Sequence, residues 1–327
     1  AFQILHGSSI HSWYEFERDT AINSYTEIGR MTLKGCELLN IGDVQEIRPG
    51  RQYIHSLFHL DHPSVTIVVR TDKCPQFQPQ FSYHKPFLAL DPIFEDEATT
   101  KKLQCVTALL RADRPDSDRL IAQLIEASDF QTTFAILSML HGSLQSNKLE
   151  EMFDVKEKTK RFDGFVAVAR KQHGEKADVF AKVIEHREFL KEIVRRRSYV
   201  TNPEHRFFFA LLLNVEGREN IFSLIKQRFP EAEPAEKLLD WVYDLAHTRI
   251  AGTDAQIALG IDAFDESDLF VFENLLAGAT NAEIHTAVER DYSPEKAAGV
   301  LEDLDARIVK IREAAILKPI FAVENDN

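Results

Sequence analysis

GRMTLKGCELLNIGDVQEIRPGRQYIHSLFH, residues 29–59, alternates strand text with tight-turn text, and its reading decides the fold. Residues 36–39 and 44–47 are short strand-like runs separated by Gly42-Asp43, and Pro49-Gly50 precedes a third run over 52–60. Gly42 and Gly50 supply permissive turn backbone, and Pro49 fixes φ on entry to the second turn. In the run over 52–60, Tyr53, His55, Leu57 and His59 share one face, while Ile54, Ser56, Phe58 and Leu60 share the other. Two imidazoles therefore point the same way. Residues i and i+4 on a strand lie about 13 Å apart, so one metal ion selects between them, and His55, just after the Pro-Gly turn, is the candidate.

Working outward, residues 64–70 (SVTIVVR) form the clearest strand, and the grammar up to about residue 98 is that of strands. From Glu97 onward the apolar period becomes helical. Leu120, Ile121, Leu124 and Ile125 follow a start signal at Pro115 and Asp116, and Leu238, Trp241, Val242 and Leu245 follow Pro234 at a first-turn position. Thr280-x-x-Glu283 is a capping box, and Ser293-Pro294-Glu295 opens the next helix. In that helix Leu301, Leu304, Ile308, Ile311 and Ala315 make an apolar stripe that Pro319 is expected to end, read as intramolecular core with a dimer seam as the other reading. The acidic Glu95-Asp96-Glu97 cluster after Pro92 marks the boundary, giving domains 1–98 and 99–327.

Composition narrows the function classes. The 327 residues are 44% hydrophobic and 28% charged, an ordinary globular balance. Net charge is -13, divided as -5 over residues 1–100 and -8 over the rest, so neither part attracts a phosphate backbone or an anionic membrane. The one dense cationic run, Lys191 to Arg197, is interleaved with Glu188 and Glu192 and reads as a solvated helix face. The helix pair over 268–318 has a helix-turn-helix look, with acidic flanks that oppose a DNA role. Cys36, Cys74 and Cys105 include no CxxC pair, which favours a reducing, cytoplasmic setting. The longest apolar run, Phe207 to Leu213, is too short to span a bilayer and reads as a buried helix. A start at Ala1 points to a processed chain or a fragment.

Six of the twelve histidines, His6, His11, His55, His59, His62 and His84, fall within the first 84 residues. Imidazole is the commonest protein ligand for first-row metals. Asp244-x-x-His247 and the lone helical histidines 141, 186, 205 and 285 read as structural. No GxSxG, P-loop, HExxH or dinucleotide fingerprint occurs.

The segment over 42–59 resembles the second motif of the cupin superfamily, Gly, five residues, Pro-x-Gly, two residues, His, three residues, Asn. Gly42, Pro49, Gly50 and His55 take those parts, with one extra residue before Pro49 and His59 where the Asn would stand. The first cupin motif survives in fragments: His11-Ser-Trp-Tyr-Glu15 keeps its His-x3-Glu part, with His6 as an alternative histidine. The resemblance covers residues 1–98. It implies an N-terminal cupin-like antiparallel β-barrel, and with the helical period that follows, the expected fold is an α+β chain in which the barrel precedes a large α-helical domain. It also implies a metal-dependent enzyme, such as a dioxygenase, acting on a small molecule through a divalent ion (Fe, Mn, Ni or Zn). His55 and His11 are then the first ligands, His6 and His59 the reserves, and Glu15 a carboxylate ligand or base. Arg70 and Tyr83 are candidates for an anionic substrate at the barrel mouth. The opposing reading is a non-catalytic ligand-binding or assembly protein, with a homodimer allowed and neither nucleic acid nor membrane as partner.

Overall fold

A computed structural model describes residues 1–48, 53–70, 80–91, 97–112, 114–145, 155–250 and 257–322. Strands come first: β1 (Phe2–His6), β2 (Ser9–Asn23), β3 (Thr26–Leu39), β4 (Val44–Gln45), β5 (Ile54–His59), β6 (Val65–Val68), β7 (Ser82–His84) and β8 (Leu88–Leu90). Helices follow: α1 (Glu97–Ala112), α2 (Ser117–Glu126), α3 (Phe130–Gln145), α4 (Val155–His173), α5 (Asp178–Tyr199), α6 (Pro203–Asn214), α7 (Arg218–Arg228), α8 (Pro234–His247), α9 (Glu266–Leu276), α10 (Asn281–Asp291), α11 (Pro294–Glu313) and the one-turn α12 (Lys318–Phe321). The chain is thus mixed α and β, with the strands N-terminal. Among the described residues the strands make two antiparallel sheets, ordered β4-β1-β6 and β5-β2-β3-β8-β7, and no closed barrel is found.

The hairpin β2–β3 is the long element, turning at Ser24-Tyr25, where Asn23 Oδ1 accepts the Tyr25 N–H at 3.0 Å. The Gly42-Asp43 turn forms as its residues dictate. Gly42 has φ +97°, Asp43 N–H reaches the Asn40 carbonyl at 3.1 Å, and Asp43 Oδ2 accepts the Asn40 N–H at 2.7 Å. Pro49, Gly50 and the start of the 52–60 run lie outside the described residues, as do Cys74 and the Pro92-to-Asp96 part of the expected boundary.

The chain forms two compact units, Ala1–Glu15 with Leu33–Thr71 and Phe189–Asn327, and Phe16–Thr32 with Asp72–Glu188. Each takes strands from the first hundred residues and helices from the remainder, because β2 and β3 run through both. In the first unit Ile10 and Leu38 of the hairpin join a core built on Phe207, Phe208, Phe209, Trp241 and Phe272. Phe207 to Leu212 are buried in α6, as the apolar run requires. Leu304, Ile308 and Ile311 belong to that core, so the stripe of α11 is intramolecular. In the second unit Ile28, Leu88 and Leu90 pack with Ile121, Ile125, Phe130, Phe134 and Phe180.

Two expectations are corrected. Helix α11 stops at Glu313, where Ala314 leaves helical geometry (ψ 109°), and Pro319 sits in the first turn of α12 instead of ending α11. The cationic run is not a solvated face throughout. Arg196 donates to the Ile257 and Ala258 carbonyls at 3.1 Å each, and Arg197 to the Arg206 carbonyl at 3.1 Å, so these guanidinium groups bind backbone carbonyls instead of water. Among the described residues no helix is long and apolar enough to cross a membrane.

Candidate functional site

Strands β2 and β5 pair antiparallel with His11 opposite Leu57 and Trp13 opposite His55. Residues opposite one another share a face, so the two histidines are diagonal neighbours on one side of the sheet. Their ring centroids lie 5.4 Å apart in a T-shaped arrangement. Phe2 of β1 backs both rings, edge-on to His11 at 5.7 Å and stacked on His55 at 6.2 Å. Tyr53, 6.3 Å from His55, and Trp13, 5.6 Å from His11, flank the pair.

His11 is fully buried, and its two nitrogens differ. Nδ1 lies 3.2 Å from Oε1 of Glu37 on β3, and the same oxygen accepts Gln45 Nε2–H at 2.6 Å. A carboxylate at Nδ1 fixes the tautomer with the proton there and leaves the Nε2 lone pair available. Nε2 is buried with no hydrogen-bond partner. A solvent-excluded acceptor normally finds a donor, so this atom is an exception to the usual pairing of buried polar groups. His55 is exposed at its rim, and its pKa is lowered, first by burial and then by the neighbouring His11. Both effects hold it neutral with a lone pair to offer. The Tyr53 phenol is raised, first by burial and then by Glu37 and Glu46, so it remains a hydroxyl donor.

The remaining candidate residues are dispersed. His59 Nδ1 is occupied by the Ser9 and Ser64 hydroxyls at 2.9 and 3.0 Å. His6 ends β1 in the other sheet, exposed, where its charge helps lower the Asp61 carboxyl, whose Oδ2 accepts from the Ser8 N–H and hydroxyl at 2.7 and 2.6 Å. Glu15 is exposed and paired with Lys34 at 3.1 Å, so the carboxylate that reaches His11 is Glu37. Arg70 is exposed beyond β6. Tyr83 lies in the second compact unit, 5.1 Å from Phe16. Glu37, Gln45, Trp13 and Phe2 were not singled out by sequence reading. One signal was present: the tripeptide Ile-His-Ser occurs at 10–12 and again at 54–56, and Ser12 stands opposite Ser56 in the register. Among the described residues no group of three or more His, Cys, Asp or Glu is arranged to hold a metal ion.

Gly35 on β3 admits the Trp13 indole against the sheet. A Cβ there would stand 2.5 Å from indole Cζ2, so a Gly35→Ala chain must swing the ring away from His11. We expect a loss of about 1–3 kcal/mol in denaturant unfolding. The tryptophan emission should also shift, since the only other tryptophan, Trp241, is buried. Unchanged emission and stability would show that the indole does not rest there.

Comparison with protein-family models, characterised proteins and solved structures finds no match for this chain. The functional reading therefore stands on the geometry of the histidine pair and on the cupin resemblance.

Proposed function

We propose that the chain is a metal-dependent, cupin-type enzyme acting on a small molecule, with a divalent ion held by His11 Nε2 and His55. The observation that carries this reading is the orphaned, buried Nε2 of His11, whose other nitrogen is held by Glu37 and whose ring lies 5.4 Å from that of His55. A carboxylate behind a ligating histidine is the usual outer-shell arrangement, raising ligand basicity and fixing the ring. Fe, Mn, Ni or Zn suits imidazole nitrogen and, when bound, supplies a Lewis acid for a substrate or water oxygen. With two protein ligands, the remaining coordination positions would be left to water and substrate, one protein ligand fewer than the three of a usual catalytic zinc site. On this reading Tyr53, whose ring lies 6.3 Å from that of His55, would offer its hydroxyl to a ligand, and Trp13 and Phe2 would bound the site with apolar surface. The strands over 1–90 are, on this reading, a cupin-like scaffold in open form.

The second reading, a metal-free ligand-binding or assembly module, is favoured by the lack of a three-ligand cluster among the described residues. Elemental analysis of the purified chain separates the two. Near one equivalent of Fe, Mn, Ni or Zn is expected, lost in His11→Ala and His55→Ala and kept in His59→Ala. Glu37→Gln should weaken metal affinity about 10–100-fold by withdrawing the orienting carboxylate. An oxygen-consumption screen then tests the dioxygenase form. A chain that takes up no metal after anaerobic loading sinks the enzyme reading.

A further inference from the structure

Strand register places His84 on the inner side of its sheet. Leu88 of β8 lies opposite both His84 of β7 and Ile28 of β3, and Ile28 and Leu88 belong to the core of the second compact unit together with Phe134 of α3. Residues opposite one another share a face, so the imidazole is turned toward the helices. There it meets Arg187 of α5. The guanidinium donates from Nη2 to His84 Nδ1 at 2.9 Å and from Nη1 to Ser138 Oγ at 3.3 Å, and it lies over the Phe134 ring at 4.9 Å.

This cation lacks a counter-charge. Among the described residues no carboxylate pairs with Arg187, and its pKa is lowered by burial with no acid to raise it again. A partly buried cation is normally paired. Elsewhere in the chain Arg161, Arg196 and Arg307 each reach a carboxylate, Asp118 at 2.6 Å, Glu192 at 2.7 Å and Asp265 at 2.7 Å. Arg197, held without one, donates to the Arg206 and Leu60 carbonyls. The acceptors of Arg187 are instead two neutral side chains. Glu188, the next residue, is turned to His141 at 3.5 Å, and Lys182 of the same helix adds a second cation against the β7–β8 hairpin, with Nζ 5.2 Å from the centre of the Phe87 ring.

Hydrogen-bond donors are also in excess. Two of the five guanidinium N–H groups are taken. His84 accepts at Nδ1, so the neutral ring carries its proton on Nε2, and Ser138 accepts through oxygen and keeps its own hydroxyl hydrogen. None of these remaining hydrogens has a protein acceptor among the described residues. We propose that Arg187, His84 and Ser138 form a binding site for a small oxyanion, the carboxylate or phosphate group of a ligand. An oxyanion brings negative charge and acceptors only, the complement of an unpaired cation surrounded by donors, and the guanidinium fork fits either group in bidentate fashion. The inference is independent of the metal reading, because these three residues belong to the second compact unit and the histidine pair to the first.

Side-chain NMR of the full chain labelled with 15N-histidine tests it. Sodium phosphate and sodium acetate are titrated separately at pH 7, each against sodium chloride at matched ionic strength. The His84 ring resonances should move saturably with phosphate, with acetate or with both, and not with chloride; the anion that binds more tightly identifies the group as phosphate or carboxylate. His173, in the same unit and held at Nε2 by Thr133 at 2.9 Å, should stay in place. Arg187→Met should abolish the movement. Arg187→Lys, which keeps the charge and loses the fork, should weaken binding about tenfold, and it serves if the methionine variant misfolds. No saturable movement with either anion, or a movement that persists in a folded Arg187→Met chain, overturns the inference.

Discussion

An Asp268→Ala chain is expected to lose roughly 3–5 kcal/mol of stability, because the substitution leaves two cations without their buried partner. The Asp268 side chain has no solvent exposure. Oδ1 accepts from Arg307 at 3.0 Å, and Oδ2 accepts from Lys310 at 2.7 Å and from the Asp265 N–H at 3.1 Å, the last being half of the capping box that opens α9. Burial alone would lower the Arg307 guanidinium, but the hydrogen bonds it donates to Asp303 and Asp265 and the charge of Asp268 raise it overall, so it does not escape by losing its proton. The alanine variant removes cap, charge and hydrogen bonds together, from a site that ties α9 to α11. Against a usual total of about 5–15 kcal/mol this is a large fraction. Asp303→Ala, which removes a half-exposed carboxylate from the same Arg307, should cost about 1 kcal/mol or less. Urea unfolding of the two variants beside the parent decides the matter. A loss below that of Asp303→Ala for Asp268→Ala would show that the network is dispensable.

Helix starts were legible because capping is local chemistry. Thr280 and Ser293 cap their helices with side-chain hydrogen bonds, the Thr280–Glu283 box forms reciprocally, and Asp116 holds the N-cap position of α2 while its carboxylate accepts from Arg114. Helix ends were less so. The end of α11 is set by Ala314 and by the packing of Ile316 and Leu317, which no local residue signals. The longest strand, β2, was also hidden. Its buried positions include Ser9, Ser12 and Tyr14, and the Ser12 and Tyr14 hydroxyls donate to the Asn214 carbonyl two hundred residues away, at 3.0 and 3.2 Å. A polar residue buried against a distant acceptor looks like a surface residue in sequence. The same distance effect misread Arg196, whose acceptors come from 257 and 258.

The site divides along the same line. A period of two fixes His55 and His59 on one face, and the Gly42 turn places β5 in the N-terminal strands, so His55 was legible. That His11 would be the histidine beside it follows from the β2–β5 register, in which Trp13 faces His55. Glu37 follows from the lateral place of β3, and neither spacing nor motif selects it over Glu15. Residues four apart on a strand cannot both meet at one point, which is why His59 turns to Ser9 and Ser64 while His11 and His55 converge.

Acid should destabilise the second compact unit through His84. The His84 pKa is lowered to about 4, first by burial and then by the Arg187 guanidinium, whose N–H donates to Nδ1 at 2.9 Å. Arg187 is itself held over the Phe134 ring at 4.9 Å and donates to Ser138 at 3.3 Å, so it does not withdraw when His84 is challenged. A free histidine titrates near 6.5. The depressed value means that stability is full above about pH 6.5 and falls as the pH drops toward 4, where the unfolded chain takes a proton that the folded chain refuses. Integrated over that window the loss is about 3 kcal/mol. His55 and His173, both lowered chiefly by burial, act in the same direction, so the parent profile contains their contributions too. His84→Gln isolates the one of interest: an amide carbonyl can accept from Arg187 and does not titrate. Urea unfolding at steps between pH 7.5 and pH 4 should show a shallower decline in the glutamine variant than in the parent. Parallel profiles for the two chains would mean that His84 takes up its proton equally in the folded and the unfolded chain, and that burial and Arg187 do not depress it.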